Sequence, residues 1–314
     1  MILLIGVPSE PPIRLVSGSL DKLGLDYYVW NGRDLQINSF EGVNLDHGKI
    51  GGCLTLGDFK LSVEKQAANY ARPLAQITNP KLHRETLGKD KLLQKVRELE
   101  YGMSGFLNTV DTLVINRPSK MWSNNAKLIQ ARYAIKHGFR VPRSHLAATK
   151  SSAREIVGKF GRAICKSQSG ERSTVFEVVC DDFSGEDEVF PSPVLIQEYV
   201  TGIDVRVHVV GDSCLSCAVF SEETDYRYSS SSRMAVVEDL GHEVQNACVA
   251  LTKDLGLVFS GIDLRVADSG EIFCFEVNPS PGYSYFEYSC GLPIARELAN
   301  LMARATGRNT DSDT

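Results

Sequence analysis

The sequence predicts a mixed α/β protein with more than one domain, and three observations support this prediction. The chain has 314 residues, which is enough for two or three packed units. It begins with a strand–helix–strand pattern, and its second half places short apolar runs between helices that end at glycine. Hydrophobic residues make up 43% and charged residues 23%, a balance that excludes a disordered or collagen-like chain.

A first domain is predicted over residues 1–115. The apolar run Ile2–Val7 is typical of a buried strand, a helix is expected near Leu15–Leu23, and a second strand at Tyr27–Trp30. This order predicts a small α/β domain. The opening run is too short to cross a membrane and lacks the basic flank of a secretion signal.

A central unit is predicted over residues 116–193. Its first helix is expected at Ala126–His137, and a capping-box pattern at Ser152 and Glu155 is expected to begin a second helix. Its strands are expected at 162–166 and 174–179. Three apolar residues share one side of the first helix, which we expect to face inward: Leu128, Ala131 and Ile135.

A third unit is predicted over residues 194–306, followed by a polar tail at 307–314 that we expect to fray. Its strands are expected at 194–199, 205–210, 214–220, 260–266 and 272–278. One helix is expected along Val244–Leu255. The inward face of a last helix is expected to contain Ile294, Leu298 and Leu301.

Charge and cysteine content exclude several classes of protein. The net charge is −5 and no basic block stands out, so neither a nucleic-acid partner nor a membrane partner is expected. The eight cysteines lie mostly in apolar runs and are interpreted as reduced core thiols of a cytoplasmic protein. Cys214 and Cys217 form the one Cys-x-x-Cys pattern. We interpret them as small apolar residues that pack within a strand, rather than as a metal-binding or redox pair.

The segment from Gly261 to Asn278 is the most informative part of the chain. With Ser269 and Gly270 as a two-residue turn, it forms a hairpin in which Asp263 lies opposite Glu276. The two-residue period of a strand then separates two faces. The polar face is expected to hold Asp263, Arg265, Cys274, Glu276 and Asn278, and the core face Ile262, Leu264, Phe273, Phe275 and Val277.

Two carboxylates that face each other across a hairpin repel unless a positive charge lies between them. Asp263, Glu276 and the amide of Asn278 would suit Mg2+, which binds a few protein oxygens together with substrate phosphates. The alternative is a solvated face on which Arg265 neutralises the acids. The hairpin alone leaves both interpretations open.

Two further segments have residues suited to a nucleotide. The polar loop 167–173 follows Lys166 and is suited to approach a phosphate, although most such loops are only turns. The segment Gln197–Val200 ends a strand, and Asp204 and Arg206 share a face of the next one. Together they are suited to a base, a ribose and a phosphate; the alternative is a surface salt bridge between Asp204 and Arg206. His208 lies on the same face of that strand. It is interpreted either as a substrate contact or as a structural residue.

Taken in this order, these segments resemble the ATP-grasp fold, in particular the RimK-type ligases and the related enzymes that mature microviridin-like peptides. The resemblance runs from Leu113 to Met302. The motifs that carry it are Asn116-Arg-Pro-Ser119, Gln197-Glu-Tyr-Val200, Thr224-Asp-Tyr-Arg227 and Glu276-Val-Asn278-Pro279, together with Asp263. The resemblance implies an N-terminal α/β domain, and central and C-terminal subdomains that grip ATP between two sheets.

The resemblance also implies roles for single residues. Nucleotide contacts are expected from Lys127, Lys166, Ser169, Gly170, Gln197, Glu198, Val200 and Asp204. Two Mg2+ ions, replaceable by Mn2+, are expected on Asp263, Glu276 and Asn278. The transferred phosphoryl group and the receiving carboxylate are expected to face Arg206, Arg227 and Arg265. Candidate substrate contacts are Tyr283, Tyr285 and Glu287, with a loop that packs its rings on the last helix as the alternative.

The function implied is that of an ATP-dependent ligase. Such an enzyme activates a carboxylate as an acylphosphate, joins it to an amine or hydroxyl group, and releases ADP and phosphate. A peptide or amino acid is the expected substrate, and a dimer or tetramer is the expected assembly. The alternatives are a small-molecule kinase on the same fold and a nucleotide-binding scaffold without turnover.

Overall fold

A computed structural model describes nine stretches of the chain. These are residues 1–33, 38–39, 43–56, 59–74, 89–166, 175–185, 188–220, 233–237 and 240–307. Within these stretches, no helix is long and apolar enough to cross a bilayer.

The N-terminal part contains a parallel sheet. Its elements are β1 (Ile2–Ile5), α1 (Pro11–Lys22), β2 (Tyr27–Trp30), β3 (Asn38–Ser39), β4 (Asn44–Asp46), β5 (Lys49–Gly51), β6 (Cys53–Leu56), β7 (Phe59–Ser62), β8 (Ala68–Ala71), α2 (Lys89–Thr109) and β9 (Leu113–Ile115). Four strands form the sheet in the order β2-β1-β8-β9. All four residues of β1 are buried, as expected for an apolar strand covered on both faces. The predicted strand–helix–strand start is confirmed.

The central part contains an antiparallel sheet. Its elements are α3 (Pro118–Met121), α4 (Lys127–Lys136), β10 (Ser144–Thr149), α5 (Lys150–Phe160), β11 (Ala163–Lys166), β12 (Val175–Val178) and β13 (Val189–Glu198). The strand order is β10-β13-β11-β12. Residues 194–198 therefore belong to the central sheet, although the sequence placed them in the C-terminal unit. Helix α5 packs on one face of this sheet, against Cys165 and Ile196.

The start of α5 differs from the prediction. The side chain of Thr149 caps the helix by accepting a hydrogen bond from Ser152 N at 3.2 Å. Ser152 is therefore inside the helix, so the predicted capping box is wrong. The predicted helix end is correct, since Gly161 takes a positive φ of 78° there.

The C-terminal part contains a second antiparallel sheet. Its elements are β14 (Gly202–Val210), β15 (Ser213–Phe220), β16 (Arg233–Val237), α6 (His242–Asp254), β17 (Phe259–Ala267), β18 (Ile272–Asn278), α7 (Ser284–Cys290) and α8 (Ile294–Ala305). The strand order is β16-β15-β14-β17-β18. Helix α6 covers one face. Helices α7 and α8 cover the other, in one core with β1 and α1 of the N-terminal part.

The prediction of core thiols is correct for Cys165, Cys217, Cys248 and Cys274, which are buried, but not for Cys53, which is exposed. All eight are free thiols. Cys214 packs beside the core under α6, whereas Cys217 lies in the core under α7 and α8. The two are on opposite faces of β15, so they fill a strand and do not form a pair.

Helix α4 faces the opposite way to the prediction. Leu128 and Ile135 are 48% and 56% exposed, whereas Lys127 and Gln130 are 7% and 3% exposed. The reason is the surface on which the helix docks. It packs against β18, the last strand of its sheet, whose backbone groups need polar partners.

Candidate functional site

The β17–β18 hairpin places Asp263 directly opposite Glu276. The predicted pairing is confirmed, but the turn and the strand register that produce it differ from the prediction. The turn is a three-residue loop, closed by hydrogen bonds between Ala267 and Glu271 (2.9 Å) and between Gly270 and Ala267 (2.8 Å). This loop shifts the register by one residue, and a bulge between the pairs Asp263–Glu276 and Leu264–Cys274 shifts it back.

The bulge also changes which residues share a face. Cys274 pairs with Leu264 and lies in the core under α6, so its predicted place on the polar face is wrong. Phe273 pairs with Arg265, and the Arg265 guanidinium lies 5.3 Å from the ring centroid of Phe275. Both rings therefore belong to the face on which Arg265 lies, rather than to the predicted core face.

Each carboxylate of the acid pair contacts its own cation. Arg206 Nη1 lies 2.5 Å from Asp263 Oδ1, and Lys127 Nζ lies 3.3 Å from Glu276 Oε2. Both cations are buried, with side chains 6% and 5% exposed. In the alternative interpretation of a solvated face, Arg265 neutralises the acids, but in the structure Arg206 and Lys127 contact them and Arg265 pairs with Asp204.

The position of Arg206 depends on a glycine and an aromatic ring. A Cβ at Gly261 would lie 2.1 Å from Arg206 Nη2, so only glycine leaves space for the guanidinium there. The Phe286 ring on α7 packs against the same guanidinium, 5.6 Å from its central carbon. Phe286 has no distinguishing signal in the sequence, because it is one of several aromatic residues in its segment.

Asp204 and Arg265 form a second ion pair, with separations of 2.7 and 2.8 Å in a fork geometry. Arg265 also donates to the carbonyl oxygen of Val200 at 2.7 Å. Burial alone would lower the pKa of Arg265, but the hydrogen-bonded Asp204 carboxylate raises it above its usual value. The alternative of an Asp204–Arg206 bridge is therefore wrong, because each residue pairs with a partner on β17.

His208 lies next along this face of β14 and is completely buried. Its ring packs edge-on against Phe286 at 4.9 Å, and neither ring nitrogen hydrogen-bonds to a described residue. Burial and the nearby Arg206 charge hold its pKa well below the usual value. The structural interpretation of this residue is therefore favoured, as a neutral ring in the core.

Gln130 anchors helix α4 to the edge of the hairpin. Its Nε2 donates to the carbonyl oxygen of Val277 at 2.6 Å, and its Oε1 accepts from Val277 N at 3.1 Å. This amide satisfies the backbone of β18 as a further strand would, and it holds Lys127 beside Glu276. The sequence offers no signal for this role, since Gln130 and Val277 are 147 residues apart.

The central sheet brings further polar groups to the face that α5 leaves uncovered. Lys166 and Gln197 lie there and are 6% and 5% exposed. Gln197 Nε2 donates to Ser144 Oγ at 2.8 Å, whereas its buried Oε1 accepts no hydrogen bond from the described residues. The side chain of Glu198 is bound to Arg143 at 2.5 Å.

Cys274 shows that Lys166 lies near the hairpin. The pKa of its thiol is raised to about 12 by burial and by the carboxylate of Asp263, while the ammonium group of Lys166 acts in the opposite direction. Such charge effects require proximity. Lys166 of the central sheet is therefore within electrostatic reach of the Cys274 thiol on the C-terminal sheet.

The donor set at the hairpin fits a hard cation. Asp263 and Glu276 offer carboxylate oxygens, and Asn278 follows two residues later on the same strand, beside Gly261. Oxygen ligands of this kind suit Mg2+, which completes its shell with water and phosphate oxygens. Among the described residues, no group of three or more His, Cys, Asp or Glu side chains is placed to hold a metal.

Two of the three candidate substrate contacts have structural roles. Tyr283 is fully buried, and its hydroxyl donates to the carbonyl oxygen of Pro12 at 2.6 Å. Glu287 accepts a hydrogen bond from Ala295 N at 3.0 Å, near the start of α8, and burial raises its pKa. The segment is helix α7 rather than the loop that the alternative expected, and these two residues hold it to α1 and α8. Tyr285 is 44% exposed and stays a candidate.

Three predicted site residues and one predicted loop lie outside the described residues. They are Ser169, Gly170 and Arg227, and the loop 167–173.

Comparison with known proteins decides the family. The family model described as "RimK-like ATP-grasp domain" matches residues 124–302, more than half of the chain. The chain belongs to the RimK-like ATP-grasp family.

Solved structures support this assignment for the whole chain. The RimK-like chain is 26% identical to the ATP-grasp ligase PsnB, solved with a minimal precursor, at a TM-score of 0.76 over 97% of this chain and 98% of that one. The macrocyclase MdnC of Microcystis aeruginosa MRC, solved with its precursor peptide MdnA, has a TM-score of 0.79 at 19% identity over 97% of this chain and 100% of that one. The similarity to MdnC shows that the two chains share a fold. The predicted ATP-grasp fold is therefore confirmed.

Curated relatives match this RimK-like chain over a shorter length. The "Probable alpha-L-glutamate ligase" of Klebsiella pneumoniae (strain 342) is 27% identical over 197 residues, which are 57% of this chain and 64% of that protein. The chain thus spans less than two thirds of the length of the curated relatives it matches.

Proposed function

We propose that this chain is a Mg2+- and ATP-dependent ligase that joins a carboxylate of a peptide or amino acid to an amine or hydroxyl group. The observation that carries the proposal is the acid pair Asp263 and Glu276, with Arg206 and Lys127 at its oxygens. The buried Lys166 of the central sheet is proposed to supply a further positive charge. Phosphoryl transfer depends on positioned positive charge rather than on a protein nucleophile, and this site supplies such charge.

The nucleotide is proposed to lie between the central and C-terminal sheets. The Gln197 Oε1 atom, which accepts no hydrogen bond from the described residues, suits the amino group of adenine. The Asp204 carboxylate, which Arg265 holds in a fork geometry, is proposed to accept hydrogen bonds from the ribose hydroxyls. Glu198 and Val200 border the base through their backbone, and Lys166 binds phosphate oxygens.

Asp263, Glu276 and Asn278 would hold the metal at the phosphate end of the nucleotide. Bound Mg2+ supplies positive charge that offsets the charge of the phosphate oxygens during transfer. Arg206 and Lys127 already contact the same two carboxylates, so protein cations and metal ligands meet at one place.

The proposed reaction has two steps. An oxygen of the substrate carboxylate attacks the γ-phosphorus, the bond to the ADP oxygen breaks, and an acylphosphate forms. An amine or hydroxyl group then attacks the acyl carbon, loses its proton, and displaces phosphate. Arg206 and, by family resemblance, Arg227 orient the carboxylate and the transferred group. Exclusion of water protects the acylphosphate between the steps.

The test supplies ATP, Mg2+ and candidate acids with amine partners, including glutamate and peptides rich in Asp or Glu. We expect ADP and phosphate to form in equal amounts with a condensed product that is lighter by one water, read by mass spectrometry. A stable phosphorylated product would show a kinase instead. ATP binding without ADP release would show a scaffold, and either result would overturn the proposal.

A matched pair of variants ties turnover to the acid pair. Glu276→Gln removes one predicted metal ligand and is expected to lower ADP formation at least 100-fold. Glu271→Gln makes the same change on an exposed carboxylate of the same hairpin, which pairs with Arg140. This control is expected to keep the wild-type rate. Equal rates in the two variants would contradict the assignment of Glu276.

A further inference from the structure

The loop that follows the predicted metal ligand Asn278 is held by a buried arginine of the N-terminal part. Arg72 comes directly after β8 and is 7% exposed. Its Nη1 lies 2.7 Å from the hydroxyl oxygen of Ser280, and 3.4 and 3.5 Å from the carbonyl oxygens of Ser280 and Pro281. Arg72 and Ser280 are 208 residues apart in the sequence.

Ser280 also contacts Asn278. Its backbone N–H donates to Asn278 Oδ1 at 2.8 Å, so one residue links Arg72 to the side-chain oxygen that is offered to the metal. The preceding residue is pinned as well, since Asn116 Nδ2 donates to the carbonyl oxygen of Pro279 at 2.6 Å. Arg72 of the N-terminal part and Asn116, which directly follows β9, therefore fix the two residues that follow Asn278.

Glu10 fixes Arg72 from the other side. Its Oε1 lies 3.1 Å from both Nε and Nη2 of Arg72. Burial alone would lower the pKa of Arg72, but Tyr70 and Glu10 raise it above its usual value, so the guanidinium stays charged. Glu10 uses two of the three guanidinium nitrogens, and the third is directed at Ser280.

This arrangement matches what a metal site needs around its ligands. Partners in contact with a ligand hold its donor atom in position, and their loss weakens metal binding typically 10- to 100-fold. If Arg72 only stabilised the fold through an ion pair, its contacts with Glu10 would be sufficient. The additional contact between Arg72 Nη1 and Ser280 connects the Glu10–Arg72 ion pair to the residue that binds Asn278.

We propose that Arg72 is a positioning residue for the metal site and acts on Asn278 through Ser280. The proposal rests on the proposed function in one respect, the assignment of Asn278 as a metal ligand. Through Glu10, Arg72 and Ser280, the N-terminal part presets the amide oxygen before metal and nucleotide bind.

The test measures Mn2+ binding in the presence of ADP by the electron paramagnetic resonance signal of free Mn2+, so it needs no substrate. Ser280→Ala removes the hydroxyl that Arg72 contacts and keeps the backbone N–H that holds Asn278. We expect its Mn2+ affinity to fall about tenfold. Ser280→Thr restores a hydroxyl and is expected to recover the wild-type affinity.

Two further variants separate positioning from folding. Arg72→Lys keeps the charge beside Glu10 but loses the fork geometry, and is expected to weaken Mn2+ binding like Ser280→Ala. Ser62→Ala removes a hydroxyl that donates to the exposed Glu64 at 2.6 Å, and is expected to leave Mn2+ affinity unchanged. Melting temperatures without metal show that each variant is folded.

The outcomes separate this proposal from the proposed function. Wild-type Mn2+ affinity in folded Ser280→Ala would overturn the positioning role, whatever the enzyme catalyses. Absence of Mn2+ binding by the wild-type protein with ADP would also overturn it. Tight Mn2+ binding that Ser280→Ala weakens, in a protein that forms no condensed product, would support the positioning role and reject the ligase.

Discussion

Arg206 and Asp263 form a contact of 2.5 Å between adjacent strands, and the guanidinium lies in the space left by the missing side chain of Gly261. The cation is almost fully buried, whereas the Asp263 side chain is 35% exposed. The pair therefore presents an oriented, partly exposed carboxylate with a fixed positive charge behind it.

Gly261→Ala should disturb this pair without unfolding the protein. The new Cβ would lie 2.1 Å from Arg206 Nη2 and 2.8 Å from Pro281 Cβ, so the flexible guanidinium must move. We expect kcat/KM for ADP formation to fall about 100-fold, equivalent to about 2.7 kcal/mol of transition-state stabilisation. Gly105→Ala is the control, because a Cβ there meets nothing within 4 Å. An unchanged rate in Gly261→Ala would contradict the role of Arg206.

Gln130→Leu should destabilise the protein. It removes both hydrogen bonds to the Val277 backbone and leaves a buried N–H and C=O without these partners. We expect a loss of about 2–4 kcal/mol in the free energy of unfolding, measured by urea denaturation. Arg132→Ala, on the exposed side of the same helix, should change it by less than about 0.5 kcal/mol. Similar losses in the two variants would show that the Gln130 contact contributes little.

His208 should make stability depend on pH. Its pKa is held well below the usual value of about 6.5, so the folded ring stays neutral while the unfolded ring takes up a proton as the pH falls. The unfolded state then binds more protons, and stability present above pH 6.5 is lost below it. Between pH 7.5 and 5.5, the wild type should lose about 1.4 kcal/mol relative to His208→Leu in urea unfolding. Parallel pH profiles would contradict a neutral buried ring.

Tyr283→Phe should affect the fold and spare the reaction. The hydroxyl donates to the Pro12 carbonyl inside the core shared by the N- and C-terminal parts. We expect a loss of about 1–2 kcal/mol in the free energy of unfolding and an unchanged KM for both substrates. A raised KM with unchanged stability would instead support the original interpretation of Tyr283 as a substrate contact.

The hairpin shows which features of a strand pair a sequence pattern predicts and which it misses. The pairing of Asp263 with Glu276 was predicted correctly from alternation and a turn, yet the turn was one residue too short and the bulge was missed. The two errors cancel at the acid pair but not nearer the turn, where Cys274 and Phe273 were assigned to the wrong faces. A bulge depends on packing on both sides of a sheet, and the period of one strand does not report it.

For helix α4, the sequence pattern predicts the helix correctly but the wrong buried face. Its apolar residues Leu128 and Ile135 predicted the wrong inward face, because periodicity assumes that a helix docks on an apolar surface. Here the helix docks on the edge of a sheet, where backbone groups favour Gln130 and Lys127. The contacts of Arg72 and Asn116 with the loop after β18 were missed for a related reason. Their partners are more than 140 residues away, and a single sequence carries no signal for such pairs.

The strand–helix–strand start, four of the five strands of the C-terminal sheet, the opposed acids and the family resemblance follow from the sequence alone. Side-chain alternation and turn chemistry act between near neighbours, so a single sequence records them. Only the tertiary structure decided which cations meet the acids. Arg206 and Lys127 lie 57 and 149 residues from Asp263 and Glu276, and sheet pairing and the docking of α4 bring them there. Long-range packing sets the charge balance of the site, because burial forces every charged group to find a partner wherever the fold places one.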